Sequence, residues 1–572
     1  MNRRNFITYS ALLGGSVMLE GSKGVQKLGK SSRKKGGITK EFAADVVIIG
    51  GGLGGCATAI AACRNGLNVI LTEETDWIGG QISQQGVPPD EHQWIETEGA
   101  PASYRDYRNR VRNYYKRNYP LTDDAKAREY LNPGDGSVSR ICHEPKVAVA
   151  VLNEIFAPYT STGKLIILTD YKIRKADVVG DSVKHLEVVN TKSGDSIVLT
   201  APYFVDATEC GDLLPLTGTE YITGAEAKSD TKEIHAAQKH EPKNNQAFTL
   251  CFAMDYQPDV NNTIDKPDNY DFWKNYVPDL TPAWSGRLLD LTYSNPSTLV
   301  PKALGFHPEG NATEDSLNLW NYRKLINRKN FVKGTYNGDI TIVNWPQNDY
   351  FLGNVLDVSE KEFKKHVDAA KQLNLSLLYW LQTSAPRPDG GIGWSGLRLR
   401  GDVMGTEDGM AKYPYIRESR RIKADFTILE EHVGSENRKL VAGPEEGKIA
   451  AQFYDSVGIG YYHIDLHPSA GKNNYIDFSS LPFQIPLGAL LPQRVNNLIP
   501  ANKNIGTTHI TNGCYRLHPV EWSIGEAAGM LINFALKKKT IPRAVRENKN
   551  LLTDFQSELV KQGIETKWSF IK

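Results

Sequence analysis

One short run constrains this chain more than any other: Asp45-Val46-Val47-Ile48-Ile49 leads straight into Gly50-Gly51-Gly52-Leu53-Gly54-Gly55. A β-branched run without polar interruption is the signature of a central parallel strand covered on both faces. Gly50, Gly52 and Gly55 hold the three positions of a G-x-G-x-x-G loop, with Gly54 inside it. Such a loop needs a tight turn, a close approach of backbone to pyrophosphate, and close seating of helix on strand. The Ala-rich stretch from Cys56 to Arg64 reads as the helix whose N-terminus faces the phosphates, and Asn65-Gly66 ends it. Asn68 to Thr72 reads as a second strand, closed by Glu73 and Glu74. Glu73 falls at the distance from the first glycine, roughly 20 residues, at which an acid accepts hydrogen bonds from adenosine ribose hydroxyls.

A second match, Gly391-Ile392-Gly393-Trp394-Ser395-Gly396, follows Ala385-Pro386-Arg387-Pro388-Asp389-Gly390 instead of an apolar strand. Proline and glycine mark a loop there, so no second nucleotide domain is expected. NAD and FAD share the first fingerprint, and the choice of FAD comes from downstream. Trp77-Ile78-Gly79-Gly80-Gln81 offers a Gly-Gly turn just past the second strand, where backbone can approach an extended cofactor. Tyr203-Phe204-Val205-Asp206-Ala207-Thr208 is a further strand ending in small residues, so Ala207 and Thr208 join the expected cofactor contacts.

With Asn497-Leu498-Ile499-Pro500-Ala501, Thr508-His509, Arg516 and Gly525-Glu526-Ala527-Ala528-Gly529, these motifs resemble a family of FAD-dependent oxidoreductases. It contains the flavin module of heterodisulfide reductase, and its exported members are loosely labelled xanthan-lyase-like. Tyr415 to Ile422 and His463 to Pro468 are also similar, and the motif order extends over roughly residues 44 to 570. The resemblance implies that the C-terminal segment returns to the first domain and brings the helix of Gly525 and Ala528 to the flavin ring, its N-terminus stabilising charge on reduced flavin. Two departures stand out: Glu209-Cys210-Gly211 follows Ala207-Thr208 where many flavoproteins have Ala-Thr-Gly, and the ferredoxin cysteines of the electron-bifurcating relatives are absent.

The expected fold class is α/β, a Rossmann-type FAD-binding domain with an inserted α+β substrate domain. At 572 residues the chain exceeds one ordinary core. Residues 41–215, with a cap-like insertion at about 88–145, and 491–540 would form the FAD domain; 216–490 would form the substrate domain and 541–572 a helical tail. Residues 1–40 read as signal plus linker, because Asn2-Arg3-Arg4-Asn5-Phe6-Ile7 and the modestly apolar Ser10 to Leu19 have a twin-arginine layout. That implies a periplasmic or extracellular protein. A net charge of +1 gives no field to draw nucleic acid, and no apolar run approaches the ~20 residues that span a bilayer. The expected partners are therefore a small-molecule substrate and an electron acceptor that the sequence leaves open. The six cysteines are scattered singly, which argues against a zinc or iron–sulfur site.

For hydride transfer to flavin N5 the protein must orient the donor carbon and remove a proton. His509 is the first candidate base, His518 the alternate, and Arg516 the group for a carboxylate or developing oxyanion. In His463-x-Asp465-x-His467, alternation along a strand would converge three polar groups. Asp465 and His467 read as a carboxylate–imidazole wall of the substrate pocket, with no metal assigned. Arg417, Glu418, Arg420 and Arg421 read as a solvated face, although the resemblance raises Arg417 as a cofactor or substrate contact. Trp273, Trp284, Trp320 and Trp345 would stack on sugar rings if exposed, but buried core is the commoner outcome for tryptophan. A carbohydrate or polyol dehydrogenase is the leading expectation; a flavin monooxygenase and a flavin-stabilised binding protein are the alternatives.

Overall fold

The computed structural model describes residues 26–27, 40–310 and 316–571. The twin-arginine segment lies outside them. The apolar run forms β1 (Val46–Ile49), followed by β2 (Val69–Glu73), β3 (Leu165–Thr169), β4 (Tyr203–Asp206) and β5 (Leu498–Pro500). They make one parallel sheet in the order β5-β4-β1-β2-β3. β1 sits in its centre and alternates between two cores: Val46 and Ile48 join the main one, Val47 and Ile49 a second one under Leu186, Val188 and Leu199. That double burial is why the run carries no polar residue.

The second core is roofed by a meander that periodicity did not reveal, Tyr171–Val179, Ser182–Asn190 and Ser196–Thr200, with Lys40–Ala43 added along its edge. On the other face α1 (Leu53–Arg64) packs against a long helix from the far end of the chain. Between them in sequence lie α2 (Ala102–Asn118), α3 (Pro145–Ser161), α4 (Glu360–Thr383) and the short α5 (His509–Tyr515); the long helix is α6 (His518–Lys538). Thr58 Oγ1 donates at 2.8 Å towards both Gly54 O and Gly525 O, tying α1 to α6. Residues 216–490 contribute a four-stranded antiparallel sheet, Lys324–Ile326, Ile340–Val343, Phe252–Tyr256 and Leu397–Leu399 in that order. Two short helices, Pro542–Glu547 and Lys549–Lys561, follow α6.

Two expectations need correction. α6 begins at His518, so Gly525 lies two turns inside it and not at its N-terminus. A Cβ on Gly525 would fall 2.6 Å from the Gly54 Cα, so this glycine serves helix-on-helix seating; Ala528, fully buried in the same helix, joins the main core. Second, the strip at Arg417–Arg421 is not solvated. Arg417 pairs with Asp349, Arg420 with Asp212 and Asp357, and Arg421 with Glu226 and Glu418, because burial of a charge requires a partner. All four tryptophans are core residues, as the commoner of the two readings had it, and Trp345 alone of them also lines a cavity on the substrate side. All six cysteines are free and buried, and no described helix is long and apolar enough to cross a membrane.

Candidate active site

A cavity of about 420 Å3, counted to its open mouth, opens over the carboxyl ends of β1, β2 and β4. Open parallel sheets bind ligands at this edge. Gly50, Gly52, Glu73, Glu74, Ala207 and Thr208 line it. Gly50 has φ +98°, and a Cβ there would stand 2.6 Å from Thr208 N, so only glycine lets β1 turn beneath β4. Glu73 Oε2 accepts from Gly51 N and Oε1 from Thr75 N, both at 2.9 Å. Burial pushes its carboxyl up to about 7, against those two hydrogen bonds. Glu74 faces Lys172 at 3.7 Å. Thr208 Oγ1 donates to Asp206 at 2.7 Å.

Gly79 and Gly80 both adopt positive φ, +115° and +57°, and fold the chain back onto the fingerprint. A Cβ on Gly80 would lie 2.8 Å from Gly52 Cα. Gln81 then reaches α6: its Nε2 donates to Arg516 O at 3.0 Å and to the Glu521 carboxylate. The other Glu521 oxygen accepts from Gly54 N at 3.1 Å, in the first turn of α1. Lys503, just past β5, is buried between Glu209 and Glu521 and also reaches Asn502 Oδ1 at 2.9 Å. Sequence reasoning missed Glu209, Lys503 and Glu521. Glu209 and Lys503 follow the ends of β4 and β5, where the strand-end rule points.

These residues fit FAD. Thr72 Oγ1 and Glu209 Oε1 face this cavity's walls, buried without a hydrogen-bond partner, and a hydroxyl-bearing cofactor supplies what they lack. Gly50, Gly52, Glu73 and Gly80 would hold the dinucleotide, and the first-turn N–H groups of α1 other than that of Gly54, which Glu521 holds, would face its phosphates.

A second cavity, about 780 Å3 counted to its open mouth, adjoins this machinery through Arg516, whose carbonyl receives Gln81. His463, Asp465 and His467 all line it, around the strand Ile464–Leu466. His467 Nδ1 is 2.6 Å from Asp349 Oδ2, and its Nε2 is 3.5 Å from Asp465 Oδ2. Burial works to raise the Asp349 carboxyl, but the Arg417 guanidinium and His467 override it and hold it below the ordinary range. Asp349 also accepts from Thr249 Oγ1 at 2.7 Å. Asp465 is held well below the carboxylate range by His467 and Arg516, against its own burial. Arg516 Nη2 meets Asp465 Oδ2 at 2.9 Å, and Nη1 donates to the Tyr415 hydroxyl at 2.8 Å. No periodicity flagged Asp349, which sits in Gln347-Asn348-Asp349-Tyr350.

The two other histidines are elsewhere. His509 lines a third cavity, about 330 Å3 counted to its open mouth, and its Nδ1 lies 2.9 Å from Glu418 Oε1. His518 is fully buried, accepting from Asp90 N at 3.0 Å through Nδ1 while Nε2 lies 3.3 Å from Val87 O. Burial lowers its pKa to about 3, so this ring is a neutral structural link and not an available base.

No curated protein matches the sequence. Similar solved structures include the E. coli quinol fumarate reductase FrdA in a mutant form, at 11% identity, 91% of this chain, 74% of that one and TM-score 0.32. A geranylgeranyl bacteriochlorophyll reductase-like protein of Thermoplasma acidophilum is similar at 10% identity, 91% and 84% coverage and TM-score 0.29. An L-proline dehydrogenase of P. horikoshii is similar at 17% identity, and the match spans 32% of this chain, about a quarter (24%) of that one, with TM-score 0.17. A family model described as FAD dependent oxidoreductase matches residues 45–559, and with the parallel sheet and its cofactor cradle this chain belongs to that family.

Proposed function

We propose that the protein is a dehydrogenase that oxidises a hydroxyl-bearing carbon of a carbohydrate or polyol held in the 780 Å3 cavity. The observation that carries this reading is the Asp349–His467 pair on a cavity joined to the cofactor cradle by Arg516 and Gln81. FAD bound in the cradle supplies the acceptor for the two electrons and the hydrogen of the substrate C–H bond. His467 takes the hydroxyl proton at Nε2, because Asp349 fixes the other ring proton on Nδ1 and stabilises the imidazolium that forms. Arg516 and Asp465 orient the neighbouring substrate oxygens, and Tyr415 holds Arg516 in place. The twin-arginine layout supports an exported location, which subcellular fractionation of the tagged full chain tests.

The decisive experiment is anaerobic addition of sugars, polyols, amino acids and hydroxy acids to the FAD-loaded protein while the flavin absorbance is followed. Bleaching by a sugar or polyol is expected. Bleaching by none of the four classes removes the dehydrogenase reading, and hydroxylated product formed only with oxygen replaces it with a monooxygenase.

A further inference from the structure

The substrate-side cavity is rich in charge and yet matched charge for charge. Arg323 meets Asp90 at 3.2 Å, Arg417 meets Asp349 at 3.0 Å, Arg516 meets Asp465 at 2.9 Å and His463 meets Asp477 at 3.1 Å. Burial opposes the charged form of His463, but the hydrogen bond to Asp477 and the nearby Asp465 outweigh it and hold the imidazole above its ordinary range. Four cations therefore face four carboxylates, and His467 shares Asp349 and Asp465 with Arg417 and Arg516. Among the described residues of the wall, no guanidinium is left over for a ligand carboxylate and no carboxylate for a ligand ammonium.

Apart from the Nε atoms of Arg323, Arg417 and Arg516, whose charges are matched through their Nη atoms, and one Asp90 oxygen beside Arg323, what remains unpaired on the walls is neutral. Tyr475 OH, Asn344 Nδ2 and Trp345 Nε1 are buried, line the cavity and have no hydrogen-bond partner. The indole and the amide donate, and the phenol both donates and accepts. A ligand hydroxyl matches such a set because it does both as well. Ring faces complete the wall: the Arg323 guanidinium lies 5.0 Å from the Tyr322 ring centre, and Arg417 lies 4.9 Å from that of Tyr415.

We infer that this cavity selects an uncharged polyhydroxylated ring and rejects its carboxylated and aminated analogues, because every charge on its walls already has a partner. The inference rests on the dehydrogenase reading only for the identity of the site. A charged ligand would have to leave water without gaining a counter-charge, or break one of the four ion pairs to get one. An uncharged ring with several hydroxyls pays neither penalty.

Calorimetric titration of the FAD-loaded protein at neutral pH tests this with matched probes: D-glucose, D-galactose and myo-inositol against D-glucuronate and D-glucosamine. At least one neutral probe is expected to bind at least tenfold more tightly than both charged ones. In Asp465→Asn, which leaves Arg516 without its carboxylate, glucuronate is expected to gain at least tenfold relative to that neutral probe. Glucuronate or glucosamine binding the unaltered protein as tightly as the best neutral probe overturns the inference, and so does the absence of binding by all three neutral probes. Flavin absorbance recorded in the same samples separates the two readings. A neutral probe that binds without bleaching refutes the dehydrogenase and leaves the selectivity standing; a charged probe that binds and bleaches does the reverse.

Discussion

Replacing Gly525 with alanine sets two physical effects against each other. Gly525 is interior to the 21-residue helix α6, where alanine is favoured over glycine by about 1 kcal/mol on intrinsic propensity. Its Cα, however, rests on α1. The added methyl would stand 2.6 Å from both the Cα and the carbonyl carbon of Gly54, whereas relaxed carbon–carbon contacts lie at roughly 3.5–4.0 Å. The obstacle is main chain on both sides, so no rotamer relieves it and the helices must part by roughly 1 Å. Such overpacking costs about 3 kcal/mol, leaving the variant about 2 kcal/mol less stable once propensity is included. In a chain of this size that corresponds to a fall of about 2 °C in melting temperature, read by circular dichroism. The displacement also pulls on Gly54, whose N–H is held by Glu521 in the first turn of α1, so FAD affinity measured by flavin fluorescence should fall as well. A variant that melts higher, as propensity alone requires, and binds FAD as before would refute the close seating of α6 on α1.

Glu73→Ala should weaken FAD at least tenfold while binding of FMN, which lacks the adenosine, is unaffected; equal weakening of both would move Glu73 away from the ribose. His467→Gln should slow flavin bleaching by about 10²–10⁴-fold with an unchanged flavin spectrum, and bleaching at the original rate would exclude this imidazole as the base. Burial works to raise the Glu418 carboxyl, but His509 and Arg421 override it and bring it down to about 2. Its stabilising contribution is therefore complete above its unfolded value near 4.5 and is lost as pH falls from there towards 2, on the order of 3 kcal/mol. Glu418→Gln should lower stability at neutral pH and flatten that acid limb, and an acid limb as steep as before would show that this carboxylate is not what titrates.

The cofactor half was legible because its signals are local. The apolar run of β1, the glycines after it and the acid at Glu73 follow one another within 30 residues, and the strand-and-turn rules act at that range. The meander at 171–200 was missed although its strands are regular, since a sheet edge over a second core leaves a mixed pattern of burial: Tyr171–Val179 has a single buried residue, Ile173. The substrate side was legible only where three polar residues alternate on and beside one short strand. Its other partners arrive from distant segments: Asp349 lies 118 residues before His467, and Tyr415 lies 101 before Arg516. His509 misled because a histidine beside a helix start looks equally available whether its ring faces a substrate or, as in this fold, the buried Glu418. The strip at Arg417–Arg421 misled for a related reason: charge density alone does not distinguish a wet face from a set of buried, neutralised pairs.

The pairing of β5 with β4, and of α6 with α1, has a consequence for biosynthesis. Residue 498 leaves the ribosome roughly 20–90 s after the glycine loop does, at ordinary elongation rates. Through that interval the exposed flank of β4 has no neighbour and the surface of α1 has no cover. The nascent chain must therefore wait, shielded by chaperones or by its own collapse, and cofactor capture becomes a late event that only molecules made through α6 achieve. A yellow colour then certifies that a given molecule was made at least through α6, and any quality control sensing bound flavin would be sensing that synthesis had passed this helix.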